Sequence, residues 1–279
     1  MEIIYQILET VFNFEFMQYD FIKNAFIAIV LLSPLFAVLG TMIVNNKMAF
    51  FSDALGHSAL TGIAIGMLFG ISNNIAMIIF AIIFSILLNY VKHKTSYGAD
   101  TIISVFSSIA IALGLAILAS IGNFSKYSSY LVGDILGITT SEIGYLVIAF
   151  VVIMIIWFFI FNKLHTISIN QSLAKSKDIN VMVIDNIFVI MISIIVMISI
   201  RWVGILLINS LLILPAASSR NIAKNTKQYH LFAIVISLIT GIVGIIVSYY
   251  ANIPTGPAIV ILSGIVYFIT FALKPKIKG

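Results

Sequence analysis

The sequence predicts an all-α, polytopic membrane protein of about nine transmembrane helices, and three observations carry that expectation. The composition is 61% hydrophobic and 9% charged, against about 45–50% and about 25% in soluble domains. About 170 apolar residues in a chain of 279 are nearly what nine lipid-crossing helices of ~20 residues require. The apolar stretches recur between short polar breaks along the whole chain. A soluble enzyme is excluded. Cysteine is absent, which removes disulfides and thiolate chemistry and leaves His, Asp, Glu or neutral oxygen as metal ligands. The formal charge of +5 does not point to nucleic acid, because membrane proteins gather Lys and Arg in cytoplasmic loops for topological reasons.

Taken in order, residues 1–18 read as a short interfacial helix. Ile4, Ile7, Leu8, Val11 and Phe12 recur at helical spacing among Gln6, Glu9 and Thr10, which is too polar to span. Glu2, Glu9 and Glu15 stand where a cleavable signal would carry basic residues, so no processing is expected. Spans follow at about 21–45, 52–70, 73–91, 101–121, 143–162, 180–200, 203–218, 229–250 and 256–273. Turn chemistry separates them: Asn45-Asn46, Gly70 to Asn73, Gly98, Gly122-Asn123, and Asn252 to Pro254 before Gly256-Pro257. The break at Arg201-Trp202 is the tightest, and fusing its two spans would give eight.

Lys92, Lys94, Lys163, Lys175, Lys177, Arg220, Lys224, Lys227, Lys274, Lys276 and Lys278 fall on one side if nine spans alternate. By the positive-inside rule that side is cytoplasmic, placing the N-terminus outside and the C-terminus in the cytoplasm. No linker or repeat divides the chain, so residues 1–279 read as one domain.

Ionisable side chains at depth are candidates for function, because lipid penalises charge. Asp53 and His57 lie four apart in DALGHSALTGIAIG and share a helical face. Counting six helical residues from Lys47 at ~1.5 Å each puts Asp53 about 9 Å inward and His57 near the bilayer centre. A carboxylate and an imidazole so spaced can reach one divalent cation, and two such helices across a symmetric dimer suit Mn²⁺, Fe²⁺ or Zn²⁺. The plainer alternative makes Asp53 a cap for the helix starting at Ala54 and His57 a partner to a neighbouring span.

Ser58, Gly62 and Gly66 form a small-residue stripe suited to close packing. Asp100 reads as a cap of the fourth span, and Asp185, within the sixth, as a structural partner of a neighbouring polar group, with lining a pathway as the alternative. Asn209 and Ser210 interrupt an apolar helix that Pro215 should kink; they line a cavity or bond between helices. His93, His165 and His230 read as solvated loop residues. No G-x-x-x-x-G-K-[ST], H-E-x-x-H or G-x-S-x-G occurs, so ATP hydrolysis and the common hydrolase chemistries have no site here.

The stretches KMAFFSDALGHSALTGIAIG (47–66), GADTIISVFSSIAIALG (98–114), YLVGDILGIT (130–139), VGILLINSLLILPAASSR (203–220) and PTGPAIVILSG (254–264) resemble, in this order, the permease subunits of bacterial zinc/manganese/iron ABC transporters. The likeness runs from about Phe16 to the last span. It implies a multi-pass permease of the bacterial cytoplasmic membrane working as a homodimer, with two cytoplasmic ATP-binding subunits and an extracellular metal-binding protein. The permease itself would carry no cofactor and no enzymatic activity; the divalent metal is cargo and ATP belongs to the partner subunit. Asp53 and His57 match the family's D-A-L-x-H pair, and Asp100 its Asp at the start of the fourth span. Residues 169–179 occupy the place of the cytoplasmic coupling helix, usually F-D-P-E-L-A-R-A-L-G-I. Leu173, Ala174 and Lys175 keep that pattern, while Asn170, Ser172 and Asp178 stand in place of its Asp, Glu and Gly.

A secondary carrier would use an intramembrane carboxylate similarly but transport without an ATPase. An intramembrane enzyme would need a nucleophile or three metal ligands. A vitamin B12 or siderophore permease would not call for an Asp/His pair.

Overall fold

Each of the nine apolar segments folds as a helix, because in lipid a helix satisfies every backbone polar group internally. The computed structural model describes residues 2–11, 15–122 and 129–278. In chain order the helices are α1 (Glu2–Val11), α2 (Asp20–Asn45), α3 (Phe51–Phe69), α4 (Asn73–Lys94), α5 (Ala99–Ile121), α6 (Ser129–Val132), α7 (Thr140–Ile169), α8 (Gln171–Ser176), α9 (Val181–Val203), α10 (Ile205–Ile222), α11 (Thr226–Ala251) and α12 (Thr255–Lys278). Among the described residues two 3₁₀ turns, Glu15–Gln18 and Ile135–Gly137, lie between them.

Among the described residues seven helices, α2, α4, α5, α7, α9, α11 and α12, are long and apolar enough to cross a membrane. The sequence expected α3 and α10 to cross as well; α3 carries Asp53 and His57, and α10 carries Asn209, Pro215 and Arg220. α2 and α9 are the most enclosed, α5 and α12 the least.

The N-terminal helix is shorter than 1–18. It is described over Glu2–Val11, a 3₁₀ turn occupies Glu15–Gln18, and residues 12–14 lie outside the described residues. It is tied to the bundle: Lys23 Nζ lies 2.6 Å from Glu9 Oε1 and 3.1 Å from Asp20 Oδ1, and the Tyr5 hydroxyl donates to Asn24 Oδ1. Beyond it, Phe16 and Met17 are fully buried.

The small-residue stripe of α3 packs as expected. A Cβ on Gly62 would stand 2.7 Å from Met77 Cα of α4, and one on Gly66 2.8 Å from Ala76 Cβ. On another face of α3, the Thr61 hydroxyl donates to the Ala110 carbonyl of α5.

The break between α9 and α10 is real and lies inside the bundle. Gly204 takes φ 89°, and Val203 shares a small cavity with Leu32, Ser33 and Phe36 from the middle of α2. The segment after α6 folds against this break. Gly133 and Gly204 meet backbone to backbone, a Cβ on Gly133 falling 2.4 Å from Gly204 N, and Asp134 N donates to Arg201 O at 3.2 Å. Protein thus covers this irregular backbone, as contact with lipid would not allow. α10 then runs unbroken through Pro215.

The histidines are not solvated loop residues. His93 Nε2 lies 3.0 Å from Asp185 Oδ2, with Lys92 Nζ at 3.9 Å, and Asp185 is only 5% exposed. His230 Nδ1 pairs with Thr41 Oγ1 at 2.8 Å, and its ring packs edge-on to Phe161 and Trp157. His165 stacks on Phe161. Helices outlast the apolar segments at their basic ends, so these rings remain on helical faces that pack against neighbours.

Candidate functional site

The first turn of α3 sets the site. Lys47 takes φ 54°, which breaks the chain between α2 and α3, so the helix starts at Phe51. The six-residue helical count from Lys47 therefore fails: Asp53 is the third residue of α3, about 3 Å along its axis, and His57 about 9 Å. Asp53 does not cap the helix either, because Phe50 is the N-cap and no side chain caps it. A carboxylate in the first turn still faces the positive end of the helix dipole.

Asp53 Oδ2 and His57 Nε2 stand 3.6 Å apart on one face, 41% and 24% exposed. The gap is too long for a hydrogen bond. Two potential ligands are thus held side by side with their lone pairs uncommitted to each other. Among the described residues no three His, Asp or Glu side chains cluster as a metal site, so this pair alone leaves a cation incompletely coordinated.

The face is fixed from behind. Ser52 Oγ donates to Asn209 Oδ1 at 2.6 Å, and Gly56 abuts Ile205 so closely that a Cβ added to the glycine would fall only 3.2 Å from Ile205 Cγ2. α10 thereby clamps the buried side of the α3 turn whose other side carries Asp53 and His57. Asn209 thus serves as a bond between helices.

Asp100 sits in the first turn of α5 without capping it; Gly98 is the N-cap and no side-chain cap bond forms. It shares with Asp53 a cavity of about 250 Å³ that Ser104, Ser107 and Ser108 also line. Asp53 and Asp100 thus share one cavity between α3 and α5, His57 stands beside Asp53 but is not among its lining residues, and Asn209 bonds to the other side of α3. Sequence reasoning missed Ser52, whose signal was only its place next to Asp53. It also missed the Gly133–Gly204 crossing, although both glycines lie in stretches that carry the family resemblance.

The loop of 169–179 contains α8. Asn170 caps it, its Oδ1 accepting from Ser172 N at 2.8 Å and Leu173 N at 3.2 Å. Ala174 is fully buried, while Leu173 and Lys175 face outward. Asp178 closes the helix at φ 55°, with Ile179 N donating to Ala174 O at 3.1 Å. Left-handed backbone is where a glycine is preferred and Asp is among the residues that tolerate it.

Fold and site define a class: a multi-pass, all-helical membrane protein with a protein-covered break between two helices and a carboxylate–imidazole pair on a partly exposed helical face. The chain belongs to the ABC 3 transport family, whose profile matches residues 18–274, and is thus a permease-type subunit of the cytoplasmic membrane. It is 32% identical over 243 residues, 86% of this chain and 93% of that protein, to the high-affinity zinc uptake system membrane protein ZnuB of Buchnera aphidicola subsp. Baizongia pistaciae. It is 26% identical over 259 residues, 93% of this chain and 92% of that protein, to the manganese import system permease protein ScaB of Streptococcus parasanguinis. Its fold superposes on that of PsaBC from Streptococcus pneumoniae in complex with Fab with a TM-score of 0.81, covering 99% of this chain and 100% of that one at 22% identity.

Proposed function

We propose that the chain is the permease of an ATP-driven importer of divalent transition metal ions, Mn²⁺, Zn²⁺ or Fe²⁺, working as a homodimer. In this reading residues 1–279 form one transmembrane domain of nine spans, with the N-terminus outside and the C-terminus cytoplasmic. An extracellular protein delivers the ion, and two cytoplasmic ATP-binding subunits hydrolyse ATP. Zinc and manganese permeases among its relatives support the cargo class.

One observation carries the proposal: Asp53 and His57, 3.6 Å apart on a partly exposed face, offer two ligands and lack a third. A second copy facing the first would bring the set to two carboxylates and two imidazoles, hard and borderline donors that suit these ions. The carboxylate charge offsets part of the ion's dehydration, and partial coordination lets the ion leave again, as conduction requires. Asp100, in the same cavity as Asp53, gives the ion a next acidic contact.

Nucleotide-driven closure of the ATPase pair would act through Asn170, Leu173, Ala174 and Lys175. Leu173 is the exposed apolar contact, and buried Ala174 links α8 to the bundle. Because α8 leads directly into α9 and so to the Gly204 break, movement there can switch access between the two sides.

The test is uptake of each ion by proteoliposomes containing the permease with its ATP-binding and metal-binding partners. ATP-dependent accumulation is expected. Accumulation without ATP, driven by a proton or sodium gradient, would instead identify a secondary carrier.

A further inference from the structure

Away from the metal pair, three ionisable side chains meet where α4 ends and α9 begins. His93 Nε2 lies 3.0 Å from Asp185 Oδ2, and Lys92 Nζ lies 3.9 Å from the same oxygen. Lys92 Nζ also stands 3.2 Å from Met48 Sδ, so one ammonium touches both α9 and the corner between α2 and α3. Met48 is 2% exposed. Its N–H donates to Ile43 O at 3.0 Å, and its carbonyl accepts from Phe51 N at 2.9 Å. Phe51 opens α3 two residues before Asp53. Asp185, the fifth residue of α9, follows α8 closely in the chain. We infer that Lys92 is a positioning residue: it fixes the first turn of α3, and with it Asp53, relative to α9, so that movement of α8 reaches the metal pair. The use of that movement in transport rests on the function proposed above; the mechanical link from α9 to the corner does not.

The cluster holds more than a structural tie between two helices needs. His93 alone reaches Asp185 at hydrogen-bond distance, and one turn earlier Asn89 Nδ2 donates to Asn186 Oδ1 at 2.7 Å. α4 is thereby fastened to α9 without Lys92. Neither of these bonds involves the corner, whereas the Lys92 ammonium does.

The Lys92 side chain is 17% exposed, and an ammonium so enclosed keeps a charge partner because its desolvation is costly. At 3.9 Å the contact with Asp185 is too long for a hydrogen bond, so charge holds it, and Coulomb attraction falls only with the first power of distance. A shift of α9 therefore carries the ammonium along without breaking the contact. The Met48 thioether is a weak, polarisable acceptor; protein interiors are close-packed, so a displaced ammonium displaces the thioether too. Further along, α3 is locked to α4 where Gly62 meets Met77. Lys92 supplies the polar contact at the opposite end, next to the turn that carries Asp53.

Two readouts separate the link from its use in transport. The first is amide hydrogen exchange at Met48 and Phe51 in the detergent-solubilised permease. D185N keeps an acceptor for His93 and removes the charge that holds Lys92; it is expected to speed both amides about tenfold, and K92M/D185N to exchange no faster than K92M alone. The second is Zn²⁺ accumulated per ATP hydrolysed, in proteoliposomes carrying the permease with its ATP-binding and metal-binding partners. That ratio is expected to fall about tenfold in K92M at a melting temperature close to wild type, and to be kept in K92R. Corner exchange unmoved by D185N, or effects that multiply in the double variant, would overturn the inference. So would a wild-type ratio in K92M, or a loss of uptake in K92M and D185N that merely follows a lowered melting temperature. Failure of the wild-type complex to take up Zn²⁺ with ATP would remove the transport reading, while the exchange rates would still decide whether α9 sets the corner.

Discussion

Ser52 and Asn209, 157 positions apart in sequence, are joined by a 2.6 Å hydrogen bond that ties the first turn of α3 to α10. The bond lies one residue from Asp53, so it holds the backbone that aims the carboxylate. Asn209→Ala leaves the buried Ser52 hydroxyl unpaired and should destabilise the protein by about 1–3 kcal/mol. Ser52→Ala/Asn209→Leu should restore much of that loss, because removing both partners is nearly neutral. Thermal unfolding in detergent compares the two; equal losses would show that the pair is not coupled.

Asp53→Asn keeps the shape and removes the charge. Metal uptake should fall about ten- to hundredfold, as expected for a lost charge-assisted contact, with melting temperature close to wild type because the side chain is 41% exposed. Uptake equal to wild type would remove Asp53 from the ion's route. Asp100→Asn should reduce uptake less.

Close approach of α3 to α4 depends on Gly62. Gly62→Ala forces a Cβ to 2.7 Å from Met77 Cα, and overpacking of this kind costs about 1–3 kcal/mol. Gly264→Ala on α12, where a Cβ meets nothing within 4 Å, should be neutral or stabilising by up to about 1 kcal/mol. A thermal-shift comparison that ranked the two in reverse would contradict the packing described.

Asp185 holds α9 to α4 through His93 and Lys92. Asp185→Ala leaves both partners uncompensated and should destabilise by about 3–5 kcal/mol, the range for breaking a buried pair. Chemical denaturation of the detergent-solubilised protein checks this, and a loss below about 1 kcal/mol would class the contact with exposed pairs.

Asp178 occupies left-handed backbone at φ 55°, a conformation that penalises side chains by about 1–2 kcal/mol. Asp178→Gly should therefore stiffen the end of α8, read as slower amide hydrogen exchange at Lys177 and Ile179. Faster exchange would show that the Asp side chain, and not its backbone angle, holds this turn.

Hydrophobic run length made the nine helices legible, because 20-odd apolar residues between Gly, Asn and Pro breaks leave little else to form. Four-residue spacing likewise made the Asp53–His57 face legible. Helix starts were less so: the left-handed turn at Lys47 is set by packing of the α2–α3 corner, and Lys carries no signal for it. The same limit hid His93 and His230, whose partners Asp185 and Thr41 are brought in from distant segments. Three-dimensional crossings such as Gly133 on Gly204 leave only two separate glycines in the sequence, each ordinary by itself.

The most direct test of the central claim, that Asp53 and His57 together meet the transported ion, is X-ray absorption at the zinc edge of the purified permease loaded with Zn²⁺. The account predicts nitrogen and oxygen ligands at about 2.0–2.1 Å with the outer-shell scattering of imidazole, lost in His57→Ala. A spectrum of oxygen ligands alone, or imidazole scattering unchanged in His57→Ala, would contradict it.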